Sequence, residues 1–294
     1  MLHEFAIDPN CFSSLDSFQR IAEGCGVSEG RYIADLPSRR WSQCVLKRLI
    51  SLFPERKNAI EDILVDLKRQ TGLIASRKNG SFEWIDAVVE EHAIIPFDAV
   101  VTDNETFASR VSIEQLSRNR EPWKVERGIR CQKSSAEIAR IATSLFRISN
   151  EVRLVDQYFQ PSDPRFVDLL QALVGSATRH HTHYDSFQYH CSFNDRNAMK
   201  NVISKEVWIA RFISSCKKKL PPVMSNGFKL MVVLWDKNKG TETNASEAMH
   251  ARYIMTEKGA LKVDYGLATS KEGETTDIIG LRQLFTEHVG MIFA

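Results

Sequence analysis

The residues in this chain best suited by type and spacing to do chemistry are His250-Ala-Arg252-Tyr-Ile-Met-Thr-Glu257, followed by Lys-Gly259-Ala-Leu-Lys-Val-Asp264-Tyr-Gly266-Leu267. An imidazole titrates near neutrality and can act as nucleophile or proton carrier. A guanidinium offers a planar, two-pronged donor that suits a phosphate. On a strand, positions i and i+2 project to one face, so His250 and Arg252 would point together, while Ala251, Tyr253 and Met255 pack on the other side. Glu257 turns back toward His250 only if the strand ends there, and Lys258-Gly259 supplies such an end. Releasing an alcohol from phosphorus needs a second proton carrier, and this segment contains none. The plain alternative is a strand whose histidine hydrogen-bonds within the core.

The elements that must position these residues are read from hydrophobic periodicity. Residues up to about 75 look mainly helical: Trp41, Val45, Leu46, Leu49, Ile50 and Phe53 fall at helical spacing before Pro54, and Ile60, Ile63, Leu64 and Leu67 repeat the pattern. Phe82 to Val89 and Ala93 to Thr102 are mixed, with Val100-Val101-Thr102 strand-like. Ser134 or Ser135 suits a helix cap before Ile138, Ile141, Ala142, Leu145 and Phe146. From residue 151 the pattern changes to a strand (Val152 to Phe159), a helix (Pro164 to Val174), a strand (Tyr184 to Phe193), a helix (Ser204 to Lys219) and three strands (Phe228 to Trp235, His250 to Thr256, Leu261 to Tyr265), with Thr276 onward as a closing helix. The expected fold class is therefore α/β: a mixed sheet with flanking helices over 151–294, preceded by a helix-rich region and basic connector over 1–150.

The His250 segment resembles the phospholipase D superfamily signature, in which His-x-Lys is followed after four residues by Asp. Arginine stands here in the lysine position, glutamate in the aspartate position, and the motif occurs once. The strand–helix order from 151 to 294 resembles one half of such a domain. Asp156-Gln-Tyr-Phe159-Gln-Pro161 and the Gly266-Leu267 pair add to the likeness. The resemblance implies a metal-independent phosphodiesterase chemistry, with His250 as nucleophile, Arg252 as oxyanion clamp and Glu257 as orienter of the histidine. It implies no cofactor and no metal. A single motif implies a homodimer in which the partner supplies the second histidine. The form His-x-Arg followed by Gly and Gly-Leu is also similar to degenerate phospholipase D-like domains at the C-terminus of microtubule-interacting-and-transport domain proteins and their bacterial relatives, several of them in phage-defence systems. That likeness implies a recognition subunit working with partner proteins. Arginine retains phosphate binding, whereas its planar geometry shifts the transferring group, and lost alignment alone costs on the order of 100-fold in rate. The weight therefore falls on a phosphate- and nucleic-acid-binding subunit, with a homodimeric nuclease and a pure protein-interaction module as rivals.

Other candidates have plain readings beside the functional ones. Residues 118 to 147 carry eight Lys/Arg against three Asp/Glu and include Trp123. Lys124, Arg127 and Arg130 there can follow a phosphate backbone or simply form a solvated face. Lys217, Lys218 and Lys219, with Arg211, end an amphipathic helix; they are favoured there by its dipole and form a second basic patch if the ligand is nucleic acid. His180, His181, His183, His190 and Cys191 are close in sequence but lack the paired spacing of a tetrahedral metal site. His183 or Asp185 can instead line the pocket beside His250. Asp156, at a strand end, either contacts His250 or caps the helix after Pro161.

Composition bounds these readings. With 39 basic and 37 acidic residues the chain is near neutral, so any affinity for nucleic acid must be local. Its hydrophobic content of 43% supports a sizeable core. Six cysteines without a CxxC pair, no leader-like start and no long apolar run suggest reduced thiols in a cytoplasmic protein. The absence of GxxxxGK[ST], GxGxxG, GxSxG and HExxH disfavours a nucleotide-hydrolysing motor, a common dinucleotide enzyme, a serine hydrolase and a zinc protease.

Overall fold

The computed structural model describes all residues except 1, 38, 76, 78–79, 106, 109, 118–119, 181–183, 194–202, 221–228, 237–251, 271–272 and 282–294. The chain divides into two compact units, Met1–Glu126 and Arg127–Ala294. Among the described residues no helix is long and apolar enough to cross a membrane.

The first unit is α/β rather than simply helix-rich. Strands β1 (His3–Ile7), β2 (Arg31–Ala34), β3 (Leu73–Ile74) and β4 (Ala99–Val101) form a parallel sheet in the order β3-β2-β1-β4. Helices α1 (Leu15–Glu23), α2 (Trp41–Leu52), α3 (Lys57–Arg69) and α4 (Trp84–Ile94) supply the connections. Parallel strands covered on both faces lose the alternation that marks a half-exposed strand, and β2 and β4 are buried at every position. Glu4, 1% exposed within β1, is held by the Arg77 guanidinium, whose Nε lies 3.1 Å from Oε1. That pairing is what makes a carboxylate tolerable in the core. The expected helices at Trp41 and Ile60 are present as α2 and α3, packed on each other.

The second unit begins earlier than residue 150. Strand β5 (Gly128–Gln132) pairs antiparallel with β11 (Thr275–Leu281), and α5 (Ser135–Arg147) packs on α6 (Pro164–His180). The expected connector is thus an integral strand and helix, and the basic stretch is shared between units: Lys124 belongs to the first, Arg127 and Arg130 to the second. The remaining elements are β6 (Glu151–Val155), β7 (Ser186–Phe193), α7 (Lys205–Lys219), β8 (Met231–Asp236), β9 (Tyr253–Thr256) and β10 (Gly259–Val263). The mixed sheet runs β5-β11-β10-β9-β6-β7-β8. β6, β7 and β8 are parallel, and β9, β10, β11 and β5 follow antiparallel. The expected α/β class and the order from β6 to β10 are as the periodicity indicates. The closing helix from Thr276 is not: residues 275–281 are a strand, with Thr276 and Ile278 buried between more exposed neighbours, a period of two carried by β-branched residues.

Candidate phosphate-binding site

The carboxyl end of β6 carries the site. Asp156 follows the strand directly and is 1% exposed. Its Oδ1 accepts from the Tyr158 backbone N–H at 2.9 Å, and its Oδ2 from the Leu267 N–H at 2.7 Å. Asp156 therefore ties the loop after β10 to the end of β6. It does not cap α6, where Asp163 accepts from the Arg165 N–H at 3.0 Å. Gly266 is required by that tie: its φ is +94°, and an added Cβ would meet Asp156 Oδ2 at 3.2 Å and Arg252 Nε at 3.7 Å. Burial pushes the Asp156 carboxyl above the usual range, and the Leu267 and Tyr158 N–H groups, Arg252 and Lys133 oppose that rise.

Arg252 immediately precedes β9 and is half-buried. Its carbonyl accepts from the Val263 N–H, and its guanidinium lies 5.3 Å from the Tyr158 ring centre. Its Nε is buried and has no hydrogen-bond partner among the described residues. Lys133, just beyond β5, donates from Nζ to the Tyr265 carbonyl at 2.7 Å. Burial lowers its pKa; Glu274 and Asp156 oppose this, and Arg252 and Arg165 add to it. Arg165, at the start of α6, pairs with Asp163 at 2.7 Å, and its carbonyl accepts from the Thr269 N–H and hydroxyl. The loop from Asp264 to Ser270 thus draws together the ends of β5 and β6 and the start of α6. Two cations from distant parts of the sequence, Lys133 and Arg252, act on one buried carboxylate, and Arg252 Nε has no partner among the described residues, an arrangement suited to an oxyanion.

The other candidates fall elsewhere. His250 and His183 lie outside the described residues. Glu257 sits beyond the opposite end of β9 from Arg252, where its exposed carboxylate accepts from the Asn150 and Glu151 N–H groups at 2.8 and 3.0 Å. In the antiparallel β6–β9 register Val155 faces Tyr253 and Val152 faces Thr256. Glu257 therefore marks the start of β6 and Asp156 its end, and the sheet does not bring Glu257 to Arg252. Asp185 is likewise at the starting end: its N–H donates to the Asn150 carbonyl, and its neighbour Ser186 pairs with Glu151. It does not share a pocket with Asp156.

His190 is a core residue, with Nδ1 accepting from Trp235 Nε1 at 3.0 Å and Nε2 against Gln188 Oε1 at 2.7 Å. Among the described residues no group of three or more His, Cys, Asp or Glu is placed to hold a metal. Arg211 and Lys217, Lys218 and Lys219 are exposed on α7, the lysines in its last turn. Lys124 is exposed and paired with Glu126. Arg130 is exposed on β5, its Nε 3.1 Å from Thr275 Oγ1, and Arg127 is exposed just before that strand. Sequence reasoning did not single out Lys133, Arg165 or Tyr158. Lys133 lies in the basic stretch and Tyr158 within Asp156-Gln-Tyr, but only the fold joins them.

No protein-family model matches the chain, and no curated protein matches it. One solved structure similar to it is TrmBL2, an archaeal chromatin protein, at 10% identity and a TM-score of 0.24. That likeness covers 83% of this chain and 66% of the other.

Proposed function

We propose that the second unit is a phosphodiester-recognition module of phospholipase D-like type, acting on nucleic acid as a subunit alongside partner proteins. The observation that carries this reading is Arg252 Nε: a buried charged donor with no partner among the described residues, beside Asp156 and within electrostatic reach of Lys133. An unpaired buried donor of this kind costs about 1–3 kcal/mol, a cost that an incoming phosphate oxygen removes. Asp156 fixes the loop and balances the cations, each of its oxygens accepting from a backbone N–H. Arg130, exposed three residues before Lys133, extends the positive charge along β5. The placement of Glu257 away from Arg252 favours binding over turnover.

Titrating labelled single- and double-stranded oligonucleotides by anisotropy over a range of salt tests the reading. Affinity should fall steeply with salt, and Arg252→Ala and Lys133→Ala should each weaken it about 10- to 100-fold, as expected for a charge-assisted contact. Affinity that ignores both ionic strength and these substitutions would sink it.

A further inference from the structure

The chain has six tyrosines, and four of them, Tyr32, Tyr184, Tyr189 and Tyr253, are buried. The two that reach solvent, Tyr158 at 44% exposure and Tyr265 at 76%, stand on the two segments that Asp156 ties together. Tyr158 donates its own backbone N–H to Oδ1, and Oδ2 accepts from Leu267, two residues after Tyr265. Each tyrosine also has a cation beside it. The Arg252 guanidinium lies 5.3 Å from the Tyr158 ring centre, and Lys133 Nζ is 2.7 Å from the Tyr265 carbonyl oxygen. Gly266 brings the two pairs close, since a Cβ there would stand 3.7 Å from Arg252 Nε.

Tyr265 is held there at a cost to the backbone. Its φ is +61° and that of Gly266 is +94°, two successive residues in a region where Asn, Asp or Gly is preferred at the first position and a bulky side chain is strained. Packing does not offset that strain, because most of the ring is in solvent. Neither local conformation nor the core accounts for an aromatic at this position, and a strained, exposed residue beside a charged site points to a ligand. An aromatic face with a cation next to it matches the two parts of one nucleotide, the ring of its base and its phosphate. Bases in a duplex are stacked on one another and offer no free face, whereas unpaired bases do.

On the basis of the phosphodiester reading above, we propose that this site takes single-stranded nucleic acid, with unpaired bases stacking on Tyr158 and Tyr265 and the phosphates between them drawn to Arg252 and Lys133. The test is anisotropy on the full chain with a labelled single strand of about 12 nucleotides, the same backbone built wholly of abasic residues, and the duplex, each over a range of salt. The base-bearing strand should bind about 5- to 100-fold tighter than the abasic one, the range that stacking supplies, and at least about fivefold tighter than the duplex. Tyr158→Leu and Tyr265→Asn should each weaken the base-bearing strand about fivefold or more and leave the abasic strand within about twofold, with its salt dependence unchanged. Tyr158→Phe and Tyr265→Phe, which keep the ring, should bind like the parent. Tyr265→Asn should also melt at or above the temperature of the parent, because asparagine accepts the positive φ. Equal affinity for the base-bearing and abasic strands, with steep salt dependence in both, would overturn the proposal and leave phosphate recognition standing. Equal or tighter binding of the duplex, or unchanged affinity in either ring-less variant, would do the same. So would an equal loss of the abasic strand or a large drop in the melting temperature of Tyr265→Asn, which would mark the ring as structural. Absence of salt-dependent binding by all three probes would remove the phosphodiester reading and this inference with it.

Discussion

His190 is a buried polar side chain and Arg252 a half-buried one with a buried Nε, and the two differ in how their donors are met. The histidine has every ring nitrogen engaged, and burial, with a smaller push from Arg153, lowers its pKa from an ordinary 6.5 to about 4. Because the folded value lies below the free one, the stability it contributes is full above pH 6.5 and is lost as the pH falls through about 4. Thermal melts of the chain between pH 4 and 7 should show this slope, and His190→Gln should flatten it by about 2 kcal/mol after allowance for screening; a slope unchanged by the substitution would refute the assignment. Arg252 keeps one donor without a partner among the described residues, and a side chain in that condition calls for an explanation. Both residues stood out in the sequence as types, one within a histidine cluster and one within His-x-Arg. Their environments were not legible there, because Trp235, or Asp156 and Lys133, reach them only through strand pairing, and Gln188 meets His190 only when β7 is extended and places both on one face.

At the scale of elements, β6 and β9 decide what the signature can mean. The spacing from Arg252 to Glu257 reads as one motif on paper, but five residue steps along the strand rise about 16 Å between them, which puts the two charges at opposite ends of β9. Glu257 instead closes the start of β6 through two backbone N–H groups. Glu257→Ala should therefore lower stability by about 0.5–1.5 kcal/mol while leaving oligonucleotide affinity unchanged, measured by denaturant melts and anisotropy on the same preparation; loss of affinity at unchanged stability would restore it to the site. Strands and helices with clear periodicity, from β6 through β10, were readable from the sequence. Of the first unit's strands only β4 was, through Val100-Val101-Thr102, since residues buried on both faces show no alternation, and the short Thr-Thr-Asp-Ile-Ile run of β11 also fits a capped helical start.

For the whole molecule, the boundary between Glu126 and Arg127 replaces the one that the change of hydrophobic pattern suggested at residue 150. Charge density marked residues 118–147 as a linker, yet β5 and α5 carry core residues such as Ile138, Ala142 and Phe146, whose partners lie far along the chain. Fragments 1–126 and 127–294 should each give a cooperative melt, whereas a fragment starting at 151 should be insoluble or unfolded, as chromatography and circular dichroism would register; a well-folded 151–294 would contradict the division. The pairing of β5 with β11 joins residues as far apart in sequence as Gly128 and Ile279. Such a contact has a high loop-closure cost and forms late. During synthesis the first strand of the second unit must wait, unpaired, until residues 275–281 have been made and have left the ribosome, which makes this edge of the sheet the part of the nascent chain most in need of a chaperone.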